Sequence, residues 1–323
     1  MNEKSLEDLQ KKAHRAYFGS IFFSAAVFLI IVSVLFFLLL SSETGTAYLR
    51  ESPAEMITGL AVLPALLAIG IYLLLYHLLV RKTYGAFDQA FKQTYVVQMV
   101  QGMDGFERLT YSPMGGFSYN EIRDSLAVNS GEAKYFKSED LLAGTYRTIP
   151  FSYGDVVTRY MRRNGKRSEI RIIFQGQIMR FSLPEDFKWS FGHLQIFEKE
   201  FLSDFKGRRA PHQIRTENED FNRRFEIFAA DEHNAFYLLT PQMMEQIVRF
   251  ADLAGSQVAL TFVGAVLYVA VDRAHSMFDA SIRLPLEKQR QLILDDVNLL
   301  KQAGELLIFG ADALVRREED GPG

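Results

Sequence analysis

The 323 residues include no cysteine. That excludes disulfides, thiolate nucleophiles and Cys-ligated zinc or iron–sulfur sites. Histidine is scarce, with six residues, and the two charge signs nearly cancel, 36 Lys and Arg against 39 Asp and Glu. Nucleic-acid-binding domains are as a rule clearly basic, so no nucleic acid is expected as a partner. The chain has no HExxH, no GxxxxGK[ST], no GxGxxG after a strand and no GxSxG. The signatures of zincins, P-loops, dinucleotide-binding folds and nucleophile elbows are therefore missing, and neither a cofactor nor a metal is expected.

Charge is also missing locally. Residues 16–42 contain no Asp, Glu, Lys or Arg, and neither do residues 56–80. At about 1.5 Å per helical residue, each run exceeds a hydrocarbon core of roughly 30 Å. The first run is too long for a cleaved signal, whose apolar region spans about 7–15 residues, and a second run follows it closely. Both read as permanent spans of a helical hairpin, so the lipid bilayer is the first expected partner.

Flanking cations set the orientation. Lys4, Lys11, Lys12 and Arg15 precede the first span, and Arg81, Lys82 and Lys92 follow the second. The connection has only Arg50, beside Glu43, Glu51 and Glu55. The expectation is a multi-pass protein of the bacterial plasma (inner) membrane with both termini cytoplasmic. Ser20, Ser24, Ala61 and Ala65 have small-xxx-small spacing that lets helices touch, and Pro64 is expected to kink the second span. His77 lies one turn from a span end, which suits an anchor and not a proton pathway.

The expected partition is an N-terminal cytoplasmic tail (1–15), a first span (16–42), an external loop (43–55), a second span (56–80), a stalk helix (81–103), a cytoplasmic domain (104–310) and a flexible tail (311–323). The stalk carries Tyr84, Phe87, Phe91, Tyr95 and Met99 at helical spacing, and Gly102 and Gly105 stop it. Beyond it a short strand is expected around 125–128 and a short helix around 138–142. Alternation over 149–153 and 157–161 leads into Asn164-Gly165, a hairpin signal, with 169–174 as the returning strand. Gly176 reads as a turn into a further strand, 178–183, and 207–219 as a polar connection. Residues 225–229 form a strand, Thr240-Pro241 opens a helix that Gly255 closes, and Met244, Ile247, Val248 and Ala251 form its buried stripe. A second hairpin turns at Val263-Gly264. Pro285 introduces a last helix with Leu286, Ile293, Val297 and Leu300 on one face. Strands cluster and helices cluster, so the fold class is α+β with antiparallel hairpins.

Among chemistry-bearing residues, Asp231-Glu232-His233 would supply a carboxylate and an imidazole to a hydrolase-like site. The plainer reading makes Asp231 a helix cap, Glu232 a first-turn acid and His233 a surface residue. His193, His212 and His275 are scattered. Glu198 and Glu200 would share the solvent side of one strand, which explains them without catalysis. A stronger feature is the basic run Arg159, Arg162, Arg163, Lys166, Arg167 and Arg171 around the expected hairpin turn, to which Lys206, Arg208 and Arg209 are expected to add. Its cations suit anionic headgroups or an acidic partner, at about 1 kcal/mol per cation near an anionic surface. Alternatively they blunt an exposed edge.

The stretches YSPMGGFSYNEIRDS, KSEDLLAGTYRTIPFSYGDV, FQGQIMRFSLPEDF, FEKEF, NRRFEIFAADEHNAFYLLTPQMMEQI and VALTFVGAVLYVAVD span about residues 110–280. Together they resemble a bacterial membrane-protein family known as domain of unknown function 3137, which the N-terminal hairpin also fits. The resemblance implies a membrane-anchored cytoplasmic domain with no activity to carry over. Because members tend to be encoded near LemA-like membrane proteins, it also implies a membrane-associated protein partner. The expected function is a non-enzymatic interaction or scaffold module, with Arg159, Arg162, Arg163, Lys166 and Arg167 as the lipid or partner contact. The alternatives are a membrane-tethered hydrolase and a structural subunit of an oligomeric assembly, including a homo-oligomer.

Overall fold

The two uncharged runs form helices that carry apolar side chains almost all round, as a lipid-facing helix does. In the computed structural model these are α1 (Glu3–Leu40) and α2 (Pro53–Leu75). The structure describes residues 3–42, 53–165, 167–183, 192–201, 212–273 and 278–319. Most of the expected external loop, Lys166, Lys206, Arg208, Arg209 and His275 lie outside the described residues. α1 and the continuous helical stretch Ala61–Gln101, which begins within α2, are long and apolar enough to cross a membrane, and only 6 % of each apolar window is buried within the protein. A core helix of a soluble protein would be mostly buried, so burial argues against that alternative. From Glu3 onward the expected tail is part of α1, with Leu6 and Ala13 buried.

The chain divides into two compact units, residues 1–91 with 280–289 and residues 92–279 with 290–323. In the first, α1 packs on α2, and Ser20 and Ser24 are buried as the small-residue spacing suggests. The Ser24 hydroxyl donates to the Ser20 carbonyl at 2.8 Å, which satisfies it without a partner helix. The segment 280–289 joins this unit through polar contacts. Gln10 donates to the carbonyls of Ser281 and Leu284, and the Tyr84 hydroxyl donates to that of Ala280.

The expected stalk is helical but not uniform. After α3 (Arg81–Ala90), one π-helical segment covers Phe91–Val96 before α4 (Val97–Gln101). A π turn inserts an extra residue and rotates the face that follows. The stripe expected at Phe91, Tyr95 and Met99 therefore moves by one: Phe91, Lys92, Val96 and Val100 are the buried positions. Lys92, expected as a juxtamembrane cation, becomes an interior one.

The second unit is built on a nine-stranded sheet: β1 (Phe106–Ser112), β2 (Lys137–Tyr146), β3 (Ile149–Asn164), β4 (Arg167–Ser182), β5 (His193–Glu198), β6 (His212–Ile214), β7 (Phe225–Ala229), β8 (Val258–Val263) and β9 (Val266–Asp272). Their order is β1-β2-β3-β4-β9-β8-β5-β7-β6, and the pairings are antiparallel. The α+β class with antiparallel hairpins is thus the fold. One face packs Phe174, Ile178, Phe197, Tyr268 and Ala270 against Phe117, Ile122 and Val128. Ile122 belongs to α5 (Tyr119–Ser125), capped by the Ser118 hydroxyl. On the other face runs α9 (Leu286–Glu319), where a Cβ at Gly304 would lie 2.7 Å from the Tyr146 ring.

Local signals hold where the chain reverses or a helix begins. Thr240 caps α8 (Pro241–Ala254), accepting from the Met243 amide, and Gly255 ends it at φ +59°. Its buried stripe takes Phe250 in place of the half-buried Val248. The helix expected around 138–142 is instead part of β2, because pairing with β1 and β3 on both sides outweighs its helical composition. The strand expected around 125–128 is the end of α5 and a left-handed Leu126, whose carbonyl accepts from Gln195. Gly176 is no turn: β4 runs straight through it, and a Cβ there would lie 2.0 Å from the Val271 carbonyl oxygen. Glycine serves close strand approach at that position. The expected connection 207–219 includes β6, and α9 continues through residues where a tail was expected.

Candidate functional site: a projecting basic ribbon

β3 and β4 are sixteen residues each, longer than either neighbour can pair. β2 covers β3 only as far as Val157, and β9 covers β4 only from Gly176 onward. Beyond those points the two strands pair with each other alone, from Arg159 opposite Ile172 to Asn164 opposite Arg167. At about 3.3 Å per residue this ribbon extends roughly 17 Å. A register shift between Thr158 and Arg159 marks its base, where a bulge adds local twist. Asn164, expected in the turn, still pairs with Arg167 as the last residue of β3, so the chain leaves the strand at Gly165, at φ +60°.

Residues 131–135 brace the outer side of the base. The Glu132 amide donates to the Arg159 carbonyl at 2.8 Å, and the Met161 amide donates to the Glu132 carboxylate at 2.8 Å. That amide, with Lys134 beside it, holds the Glu132 carboxyl below the usual range. Arg159 is half-buried and donates to the Tyr135 carbonyl at 3.2 Å. Arg162 and Arg163 are exposed. Arg162 stands opposite Glu169, yet Glu169 pairs with Arg171 at 3.0 Å. Among the described residues, neither Arg162 nor Arg163 has an ion pair. Of the other two expected contacts, Lys166 lies outside the described residues and Arg167 is placed by its backbone pairing only.

Alternation sorts the ribbon into two faces. One presents Met161, Ile170 and Ile172 between Arg159 and Arg163, with Ile170 and Ile172 exposed by 52 % and 54 %. The other presents Tyr160 and Arg162 with Arg171 and Glu169. The isoleucines were missed in the sequence because an Ile-x-Ile alternation is also how a core strand reads.

Asp231, Glu232 and His233 are exposed at the start of α7 (Glu232–Leu238), which follows the short α6 (Glu219–Arg224) and β7. The Asp231 carboxylate accepts from the amides of His233 and Asn234, so it is engaged as a cap. Glu232 lies 3.8 Å from His212, and the His233 ring meets Tyr237 edge-on. A carboxylate–His catalyst needs its groups to converge on a pocket. Here the three side chains stand in solvent, and among the described residues there is no His/Asp/Glu group arranged to hold a metal.

Glu198 and Glu200 do not share a strand face, because β5 ends at Glu198. Glu198 accepts from Arg224 at 2.7 Å and from the Val258 amide at 2.8 Å, whereas Glu200 accepts from Gln257. A polar niche lined by Glu139, Asp155, Gln175 and Arg273 has a volume of about 20 Å³. That is room for one water molecule, not for a substrate.

No curated protein matches the chain. Among solved structures, the crystal structure of the mycobacterial trehalose monomycolate transport factor A, TtfA, is similar at 8 % identity and a TM-score of 0.35, over 66 % of this chain and 96 % of that one. Residues 172–307, from the returning strand of the ribbon into α9, match the family described as protein of unknown function (DUF3137), the family that the sequence stretches resemble.

Proposed function

We propose that this protein is a membrane-anchored, non-enzymatic interaction module that presents its basic ribbon to an anionic surface, either lipid or a membrane-associated protein. The observation that carries the reading is the ribbon itself: two strands outlast their neighbours and carry Arg162 and Arg163 exposed and, among the described residues, without an ion pair. Tethering makes weak contacts sufficient, since local concentration reaches the millimolar range for short tethers. In this reading α1 and α2 form a hairpin in the bacterial plasma membrane. Both termini and the 104–310 region are cytoplasmic, with residues 43–55 outside, as the flanking cations favour.

The test uses the intact chain as bait in membranes at low salt, beside a variant with Arg159, Arg162, Arg163, Lys166 and Arg167 changed to Glu. The reversal is expected to remove the bound material, and unchanged recovery would refute the ribbon's role. Reporter fusions at Gly323 and Gly45 should report cytoplasm and exterior respectively. A second reading, a subunit of an oligomeric membrane assembly, is favoured by an open apolar groove of about 460 Å³ between α1 and α2, lined in part by Ser24, Ala25, Ala65 and Ala68. Native mass measurement of the detergent-extracted chain tests it: a monomer sinks it.

A further inference from the structure

The geometry points to an amphipathic wedge: the Met161, Ile170 and Ile172 face of the ribbon enters the interface of an anionic bilayer while the flanking arginines hold headgroup phosphates. This rests on the interaction-module reading and commits its partner to lipid.

Three observations carry it. First, a two-stranded ribbon on its own is marginal in water, and exposed β-branched residues on an unpaired edge invite aggregation. Ile170 and Ile172 stand more than half exposed on such a ribbon. Apolar exposure of this kind calls for a cover. Second, charge is locally reversed. Residues 159–171 contain six cations and one carboxylate, whereas the whole chain carries net −3. The one carboxylate, Glu169, is held by Arg171.

Third, the cations lie on both faces, Arg159 and Arg163 on one and Arg162 and Arg171 on the other. A rigid protein partner meets one face and leaves the opposite arginines unanswered. A specific protein contact also needs about 800 Å² from each side and a desolvated centre, which a blade two strands wide does not offer. A headgroup layer surrounds a narrow element. It neutralises both faces while the isoleucines sit deeper and the arginine stems extend along the apolar boundary. Tyr160, half apolar and half polar, suits the same depth.

The absence of cysteine makes the test clean, because any introduced thiol is unique. Full-length Ile172→Cys carrying an environment-sensitive fluorophore would be reconstituted in nanodiscs of phosphatidylcholine alone or mixed with phosphatidylglycerol. A label at the exposed Glu217→Cys serves as the reference position. With phosphatidylglycerol present, the residue-172 label should be quenched by doxyl lipid and shielded from aqueous iodide. With phosphatidylcholine alone, or at high salt, the pattern should invert. The residue-217 label should stay iodide-accessible throughout. Arg162→Glu with Arg163→Glu should return the residue-172 emission to its aqueous wavelength, with the far-ultraviolet spectrum unchanged. Equal iodide quenching of the residue-172 label in both lipids at low salt overturns the wedge. If the five-fold reversal still removes a bound protein in the bait experiment, the module reading survives without the wedge. If that also fails, both fall.

Discussion

Replacing Lys92 by methionine should destabilise the sheet unit far more than replacing its partner Asp140 by asparagine. The π-helical segment turns Lys92 inward, and its side chain is only 9 % exposed. Its Nζ lies 2.9 Å from Asp140, itself 6 % exposed, and 3.2 Å from Asp279, which is 57 % exposed. The second Asp140 oxygen accepts from the Tyr111 hydroxyl. Lys92→Met therefore leaves a buried carboxylate with one neutral donor, a loss of about 3–5 kcal/mol. Asp140→Asn keeps the volume and an amide at a left-handed position (φ +58°), which asparagine tolerates. It also leaves the ammonium its second carboxylate, so the cost falls to about 1–3 kcal/mol. For a domain of this size each kcal/mol lowers the melting temperature by about 2–4 °C. Lys92→Met should thus melt roughly 6–20 °C below the parent chain in mild detergent, followed by near-ultraviolet circular dichroism. The double variant buries no charge and should lose less than the sum of the singles. Equal losses for the two single variants, or strict additivity, would refute the account.

Other consequences concern the sheet. Tyr153 is fully buried and, among the described residues, its hydroxyl has no hydrogen-bond partner, so Tyr153→Phe should be neutral or slightly stabilising in the same melt. Burial raises the phenols of both Tyr153 and Tyr146, the latter helped by its hydrogen bond to Glu305. A phenol raised in the folded state contributes stability that is complete below its unfolded pKa of about 10 and is lost as pH climbs beyond it. Unfolding free energy should therefore fall above about pH 10, and the Tyr146→Phe, Tyr153→Phe double variant should flatten that fall. Gly176→Ala places a Cβ against the Val271 carbonyl, which is backbone and cannot swing away, so β4 and β9 must part at about 1–3 kcal/mol. Gly165→Ala, in open space at φ +60°, should cost about 1 kcal/mol, and the reverse order of melting temperatures would contradict the packing argument.

What was legible in the sequence had a local cause. Thr240-Pro241, Gly255 and Gly165 each act through their own backbone geometry, so their residue types announce them. Ser138, Glu139, Asp140, Leu141 and Leu142 announce a helix just as plainly, yet they form β2, because strands distant in sequence supply the pairing that decides. The inward turn of Lys92 is likewise silent, since one inserted residue in a helix leaves no mark in the spacing of Phe87 and Phe91. The candidate site follows the same division. Its arginines stand out as a run around a turn signal, and any reading of composition finds them. Its isoleucines do not, because Ile170 and Ile172 alternate just as Ile178 does, and Ile178 is fully buried. What separates them is where the neighbouring strands stop, at Val157 on one side and Gly176 on the other. The surface on which the functional reading depends is thus made by strands ending early elsewhere in the chain, so the same alternation is core on one side of Gly176 and exposed on the other.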